Sequence, residues 1–285
     1  MKTLNDATII VCSIVRNASR GLKKNIPIIN AICDQAKDYK VIVYENDSSD
    51  DTQNILQEWV EERGKEKIHA LLNNTDPDPT IPSARSTNAN PFFCKKRIGK
   101  MARLRNNYME YMEKNNWVAD YLIVVDLDVE KICLEGVLSA FQTKLNWDAI
   151  TAFGYSLSPK FKIRYHDTYA LVENGKENVP QTESDIYGLP ELFGKIRHRQ
   201  ELYPVFSAFG GLSIYRFEAI KGLHYQTLDN DDNRVEVRCE HYSLYKQMHE
   251  RGYNHIFISP QMTLKYQRLS FALIWNTLKR HLKLD

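Results

Sequence analysis

The stretch Tyr121-Leu-Ile-Val-Val-Asp126-Leu-Asp128-Val-Glu130 decides the fold. Tyr121 to Val125 is unbroken, apolar and rich in β-branched side chains, the composition of a strand buried on both faces of a parallel sheet. It stops at two carboxylates one residue apart. Side chains at i and i+2 of extended chain point the same way, so Asp126 and Asp128 can converge. Converging carboxylates repel unless a cation lies between them. Mg²⁺ and Mn²⁺ prefer oxygen ligands and are often held by one or two carboxylates plus substrate phosphates. The C-terminal end of such a strand is also where open α/β sheets bind ligands. The competing reading is local: both Asp residues cap a following helix.

Outward from this strand, the pattern towards the N-terminus alternates. A strand is expected over 8–15, then a helix to about 39 that Pro27 kinks or splits. A strand over 40–44 and a helix over 52–62 follow, with Ser49 or Asp50 as N-cap, and a third strand over 67–72. This is the start of a doubly wound parallel sheet. Residues 73–96 carry Pro77, Pro79, Pro82 and Pro91 among many Asn, Ser and Thr, a loop long enough to be a lid that orders over a ligand. A helix over 98–115 leads into the central strand. Beyond it come a helix over 134–145, a strand over 148–155 and an irregular region over 156–203 with short pieces at 168–172 and 189–193. A strand–turn–strand over 204–215 bends at Gly210-Gly211. A helix over 240–251, strands over 255–258 and 262–266, and a closing helix over 270–282 complete the chain. The expected class is α/β: a Rossmann-type, mainly parallel sheet flanked by helices, with a mixed C-terminal half in one continuous domain.

The bulk numbers exclude some functions. Of 285 residues, 43% are hydrophobic and 26% charged, the balance of an ordinary globular protein. A net charge of +2 gives no electrostatic case for nucleic acid. The five cysteines, Cys12, Cys33, Cys94, Cys133 and Cys239, are scattered and lack a CxxC pair, which argues against zinc or a disulfide framework and for reduced thiols in the cytoplasm. Residues 7–15 are apolar, but Asp6 before them and Arg16 after them do not suit a signal peptide. No run spans a membrane, so at most peripheral contact is expected.

Several side chains point to phosphate and ribose. The turn 45–51 is acidic and follows the second strand, where Glu45 and Asp47 are placed to accept hydrogen bonds from a nucleoside. Ser49, Asp50 and Asp51 suit a solvated capping turn. Arg16 and Asn17 follow the first strand directly, and Lys100, Arg103, Arg105 and Asn106 come from the helix before the central strand. Guanidinium groups bind phosphate bidentately. The Gly-rich loop of dinucleotide folds is missing, since only Gly21 follows the first strand.

These residues together resemble a GT-A type glycosyltransferase. The second half narrows the resemblance: Tyr165-His-Asp167-Thr-Tyr-Ala, Val205-Phe-Ser-Ala-Phe-Gly210-Gly211-Leu-Ser-Ile-Tyr215, Cys239-Glu240-His241, Arg251-Gly-Tyr and Ile258-Ser-Pro-Gln-Met-Thr-Leu-Lys-Tyr266 are similar in order and spacing to the cryptococcal capsule-associated α-mannosyltransferase family. The resemblance covers roughly residues 8–268. It implies a hexose moved from a UDP- or GDP-sugar to a glycan hydroxyl, with Mn²⁺ or Mg²⁺ on Asp126 and Asp128. It divides the chain into a nucleotide-sugar half, 1–130, and an acceptor half, 131–285. Donor contacts are expected from Arg16, Asn17, Glu45, Asp47, Lys100, Arg103, Arg105, Asn106, Asp126 and Leu127, and acceptor contacts from Gly210, Gly211 and His241. His241 is open between third metal ligand and packed helix residue. Glu240, at a helix start, is the first candidate for the catalytic carboxylate and Asp167 the second. Either acts as base if configuration inverts, or faces the cationic sugar if it is retained. The family's N-terminal membrane anchor is not seen, which suggests a soluble bacterial or viral relative. The competing enzyme class is a sugar nucleotidyltransferase, and the non-enzymatic alternative is a glycan-binding protein with the same fold.

Overall fold

The structure, a computed structural model, describes residues 1–74, 89–157, 163–188 and 190–266, the side chains of 190–193 excepted. Most of the expected lid and the whole closing helix over 270–282 lie outside the described residues. In chain order the elements are β1 (Thr8–Val15), α1 (Ser19–Cys33), β2 (Asp38–Asn46), α2 (Thr52–Arg63), β3 (Ile68–Asn73), α3 (Lys95–Lys114), β4 (Tyr121–Val125), β5 (Lys131–Ile132), α4 (Leu134–Ala140), β6 (Ala149–Leu157), β7 (Ile163–Tyr165), α5 (Glu183–Tyr187), α6 (Pro190–Arg197), β8 (Tyr203–Pro204), β9 (Leu212–Arg216), α7 (Phe217–Ile220), α8 (Glu240–Glu250) and β10 (Ile256–Lys265).

One sheet runs β3-β2-β1-β4-β9-β6-β10-β5, with β7 added on β6 and β8 on β10. The first four strands are parallel. β9 enters antiparallel between β4 and β6, and β6 and β10 are again parallel to each other. The halves on either side of residue 130 therefore share a sheet. β4 is buried along its whole length, as its composition requires. Leu122 and Val124 face the core under α3 and α8, with Met109 and Leu244. Tyr121, Ile123 and Val125 face the core under α1 and α4, with Leu22 and Val137. That alternation is the period of an extended chain.

Some boundaries differ from the sequence reading. Pro27 lies inside α1 without ending it; it is exposed, so the carbonyl it leaves unbonded can be hydrated. α4 stops at Ala140, and the tail beyond it brings Trp147 to stack on Tyr121 at 5.4 Å. β8 and β9 are not a hairpin: β8 joins β10, while Gly210 (φ +63°) and Gly211 (φ +89°) turn the chain into the centre of the sheet as β9. The two strands expected over 255–266 are one strand, with a register shift between Ser259 and Thr263 around Pro260. Among the described residues no helix is long and apolar enough to cross a membrane.

Candidate active site

A cleft of about 700 Å³ opens beyond the C-terminal end of β4. Asp126, Asp128, Asp167 and Glu240 line it, with Arg97, Arg105 and Arg164, His166, His241 and Tyr266. Asp126 continues the strand pairing by one residue, its N–H donating to the Gly211 carbonyl at 2.8 Å. The Tyr266 hydroxyl donates to its Oδ2 at 3.2 Å. No helix starts at this turn: the next is α4, whose N-cap is Cys133. The capping explanation for Asp126 and Asp128 therefore fails.

The turn between the two carboxylates is held from α1. Buried Asn25 donates through Nδ2 to the carbonyls of Leu127 at 2.9 Å and Val129 at 2.8 Å. A Cβ on Gly21 would lie 2.5 Å from the Leu127 carbonyl oxygen and 2.6 Å from Asp128 Cα. Replacing glycine by alanine inside a helix normally stabilises by about 1 kcal/mol. Here the sign should reverse. Gly21→Ala is expected to destabilise by about 1–3 kcal/mol, the scale of overpacking against atoms that cannot move away. Urea midpoints of the two proteins check this, and a more stable variant would refute the close approach.

Arg105 organises the rest. Helical spacing puts Arg97, Met101 and Arg105 of α3, four residues apart, on the face that lines the cleft. Arg105 is 4% exposed; its Nε donates to Glu240 Oε1 at 3.0 Å and its Nη2 stands 3.6 Å from Asp126 Oδ1. Its guanidinium lies over the rings of Phe209 at 5.0 Å and Tyr225 at 5.8 Å. Among the described residues, Arg105 is the guanidinium in ion-pair contact with these carboxylates, reaching Asp126 and Glu240. Burial, with the charges of Asp128 and Asp167, pushes the Asp126 carboxyl up to about 7 against the pull of Arg105. Burial raises Asp128 as well. Asp167 is pushed up to about 6, by burial first and by Glu240, although it accepts the Gly210 N–H at 3.1 Å.

Two imidazoles complete the wall. His241 is 2% exposed, stacks on Phe209 at 3.8 Å, and has no hydrogen-bond partner at either ring nitrogen. Burial keeps it neutral, with its pKa well below the usual histidine value. His166 stacks on Tyr266 at 3.9 Å, and burial pulls it down to about 4.

Other expected site residues do not line this cleft. Glu45 is buried and both its oxygens are engaged, by Ser48 N–H at 2.6 Å and Gln53 Nε2 at 2.7 Å. It builds the acidic turn. Asn17 Oδ1 accepts from Ser49 N–H at 2.8 Å, tying that turn to the end of β1. Arg16 is exposed there, and Asp47 is half-buried with φ +49°. Asp50 caps α2 through Thr52 N–H at 3.1 Å, although the N-cap position itself is Asp51. Arg103 is exposed and Lys100 half-buried on other faces of α3 than Arg105. Asn106 holds the Tyr225 backbone, donating at 3.0 Å and accepting at 2.8 Å, and so supports the ring beneath Arg105. Gly210 and Gly211 are buried: added Cβ atoms would lie 2.0 Å from the Ala152 carbonyl oxygen and 2.6 Å from the Tyr266 hydroxyl. They shape the site by binding Asp167 and Asp126 through their backbone. Arg97, Arg164, His166, Tyr266 and Asn25 escaped the sequence reading. The four-residue spacing from Arg105 could have found Arg97, and His166 and Tyr266 lay within the quoted motifs without being given a role; nothing local marked Arg164 or Asn25.

Known structures share the fold of this chain. The mannosyltransferase PcManGT from Pyrobaculum calidifontis, solved with GDP-Man and Mn²⁺, superposes with a TM-score of 0.52 at 10% identity, over 97% of this chain and 62% of that one. S. aureus TarS 1–349 in complex with UDP-GlcNAc gives 0.47 at 14% identity, over 94% and 60%. Glucosyl-3-phosphoglycerate synthase from Mycobacterium tuberculosis, with Mn²⁺, UDP and glucosyl-3-phosphoglycerate, gives 0.44 at 11%, over 97% and 77%. The chain thus spans less than two thirds of PcManGT, and the likeness to it is one of GT-A fold. A search of curated proteins finds no match. The family profile described as cryptococcal mannosyltransferase 1 matches residues 13–246, most of the sheet and all four clustered carboxylates, and the chain belongs to that family.

Proposed function

We propose that this chain is a glycosyltransferase that moves a hexose from a nucleoside diphosphate sugar to a hydroxyl of a glycan. The observation that carries the reading is the meeting of Asp126, Asp128, Asp167 and Glu240 on one cleft at the end of β4, with Arg105 in contact with two of them. Among the described residues no three His, Cys, Asp or Glu side chains are already grouped to hold a metal. Asp126 and Asp128 nevertheless fit Mn²⁺ or Mg²⁺: they are oxygen donors on one cleft, and burial there disfavours their ionised forms, a cost that a bound cation offsets. His241, neutral and unpartnered on the same wall, offers a nitrogen that suits Mn²⁺ better than Mg²⁺. When bound, the cation supplies positive charge to the donor's diphosphate.

The chain's own groups supply the rest. Arg97 Nε, Arg105 Nη1 and Arg164 Nε have no hydrogen-bond partner and belong to residues lining the cleft. The guanidinium charge that these three residues bring to the cleft suits a leaving diphosphate, whose charge grows as the glycosidic bond breaks. Glu240 is already paired with Arg105 and holds it in place, so Asp167 takes first rank as the carboxylate that meets the reacting sugar. It titrates near 6 and is ionised but poorly solvated at neutral pH. Inversion at the anomeric carbon would make Asp167 the base; retention would set it against the cationic sugar, and proton NMR of the product distinguishes the two. A cytoplasmic setting accords with five free cysteines, three of them buried.

The nucleotidyltransferase alternative is disfavoured at the turn after β1. Its N–H groups are consumed by Ser48 Oγ at 2.9 Å, Thr52 Oγ1 at 2.8 Å and Asp50 Oδ2 at 3.1 Å, and are not available to a triphosphate.

Melting temperatures with UDP, GDP and CMP, each with and without Mn²⁺, test the reading. One nucleoside diphosphate should stabilise the protein only when the metal is present. No stabilisation by any pair would overturn it. With the donor so identified, kcat should fall on the acid side of about pH 6 in the wild type. Asp167→Asn should lose at least about 10²-fold in kcat together with that limb. Glu240→Gln should keep the limb.

A further inference from the structure

Beside the cleft, and meeting it at Thr168, is a second pocket of about 200 Å³, the space of roughly seven waters. Thr168 belongs to both cavities, so the two share a wall one residue from Asp167. The second pocket is lined on its charged side by Arg238 and Lys176, and by Glu173 and Asp185. Both acids are engaged. Glu173 accepts from Lys176 Nζ at 2.8 Å and from the Tyr203 hydroxyl at 2.9 Å. Asp185 caps α5, accepting from Thr182 N–H at 2.8 Å and its hydroxyl at 2.7 Å.

Arg238 is different. It is 5% exposed and donates only to the main-chain carbonyls of Val179 and Glu177, with its guanidinium 5.0 Å from the Tyr242 ring. Its Nη1 has no hydrogen-bond partner, and among the described residues no carboxylate forms an ion pair with it. A buried guanidinium without a counter-charge is costly unless something else supplies that charge. Asp126 and Glu240 perform that service for Arg105; Arg238 has nothing equivalent.

We propose that this pocket is an acceptor subsite for an oxyanion, a carboxylate or phosphate carried on the acceptor glycan, bound by Arg238 with Lys176 at the rim. The proposal rests on the glycan-acceptor reading above and goes beyond it by naming the acceptor's charge. The shared Thr168 sets the pocket beside the cleft, one residue from Asp167. Planar guanidinium recognises either anion bidentately. Lys176, 63% exposed at its side chain, gives one of its three N–H groups to Glu173 and keeps the others for an anion at the rim.

Titration calorimetry with glucuronate, glucose 6-phosphate and glucose tests this directly. The wild type should bind at least one of the two anionic sugars tenfold or more tighter than glucose, and which one tells carboxylate from phosphate. Arg238→Gln, which keeps an N–H donor for the carbonyls, should remove the preference. Because Arg238 supports its loop, Lys176→Glu is the second arm: it leaves the core alone, replaces the exposed Lys176–Glu173 pair by two carboxylates at the rim, and should weaken the anionic sugar at least tenfold. Nucleoside diphosphate affinity should be unchanged in both variants. Equal binding of all three sugars, or a preference that survives both substitutions, overturns the subsite. Failure of every nucleotide to bind would instead strike the donor reading and leave this comparison of sugars intact.

Discussion

Arg105→Met should cost about 3–5 kcal/mol of stability, because it strands Glu240 as a buried charge without a partner. Glu240 is 4% exposed and its Oε1 takes the 3.0 Å bond from Arg105 Nε. Methionine matches much of the aliphatic stem, so the loss measures charge more than volume. The double variant Arg105→Met, Glu240→Gln removes both charges and should recover most of the stability while transfer stays at least about 10²-fold down. Chemical denaturation of the wild type, both single variants and the double variant closes the cycle. If the double variant is no more stable than Arg105→Met, the pair does not act as a unit. Recovery of activity with stability would mean that Arg105 serves only the fold.

Asp126→Asn should separate function from stability in the opposite direction. The side chain keeps its shape, so the turn held by Asn25 should persist. Loss of one of two converging carboxylates is expected to lower kcat/KM at least about 10³-fold, some 4 kcal/mol of transition-state stabilisation. Stability without added metal should rise. The folded Asp126 carboxyl holds its proton to about 7, whereas the unfolded one releases it near 4. A raised acid favours folding below the unfolded pKa, and that contribution is lost as pH climbs through the folded value. Between about pH 5 and 8 the metal-free wild type should therefore lose on the order of 2–4 kcal/mol from this group, and Asp126→Asn should not. Urea midpoints at the two pH values, in chelator, give the slope. Full activity in Asp126→Asn, or an identical slope, would remove Asp126 from the centre of the site.

Much of this was legible before any coordinates. The apolar run 121–125 carried the burial of β4 and the position of its two carboxylates, because composition and period-two alternation are local properties. The parallel order of β1 to β4 followed from strand–helix alternation. What was not legible depends on contacts distant in sequence. Glu240 looked like a free carboxylate at a helix start until Arg105, 135 residues earlier, was seen against it. Gly210-Gly211 was legible as a turn, but not the Ala152 carbonyl and the Tyr266 hydroxyl that lie where side chains would go. Lys100 and Arg103 were grouped with Arg105 by nearness along the chain, although the helix turns them away from the cleft. Arg238, apolar on one side and basic between Val237 and Cys239, gave no local sign that it would be buried without a counter-ion.

The late arrival of β9 bears on how the protein is made. β4 pairs with β1 on one side, but its other edge waits for β9, roughly 90 residues further along the chain. At about 5–20 residues per second of synthesis, that edge stays unpaired on the ribosome for roughly 5–20 s. An open edge of Tyr-Leu-Ile-Val-Val is a template for pairing with another chain. Asp120 and Asp126 flank that run on both sides, as charges that interrupt aggregating segments do. Asp126 would then guard the newborn strand before it ever serves the finished site, and soluble yield and turnover would depend on the same carboxylate for unrelated reasons.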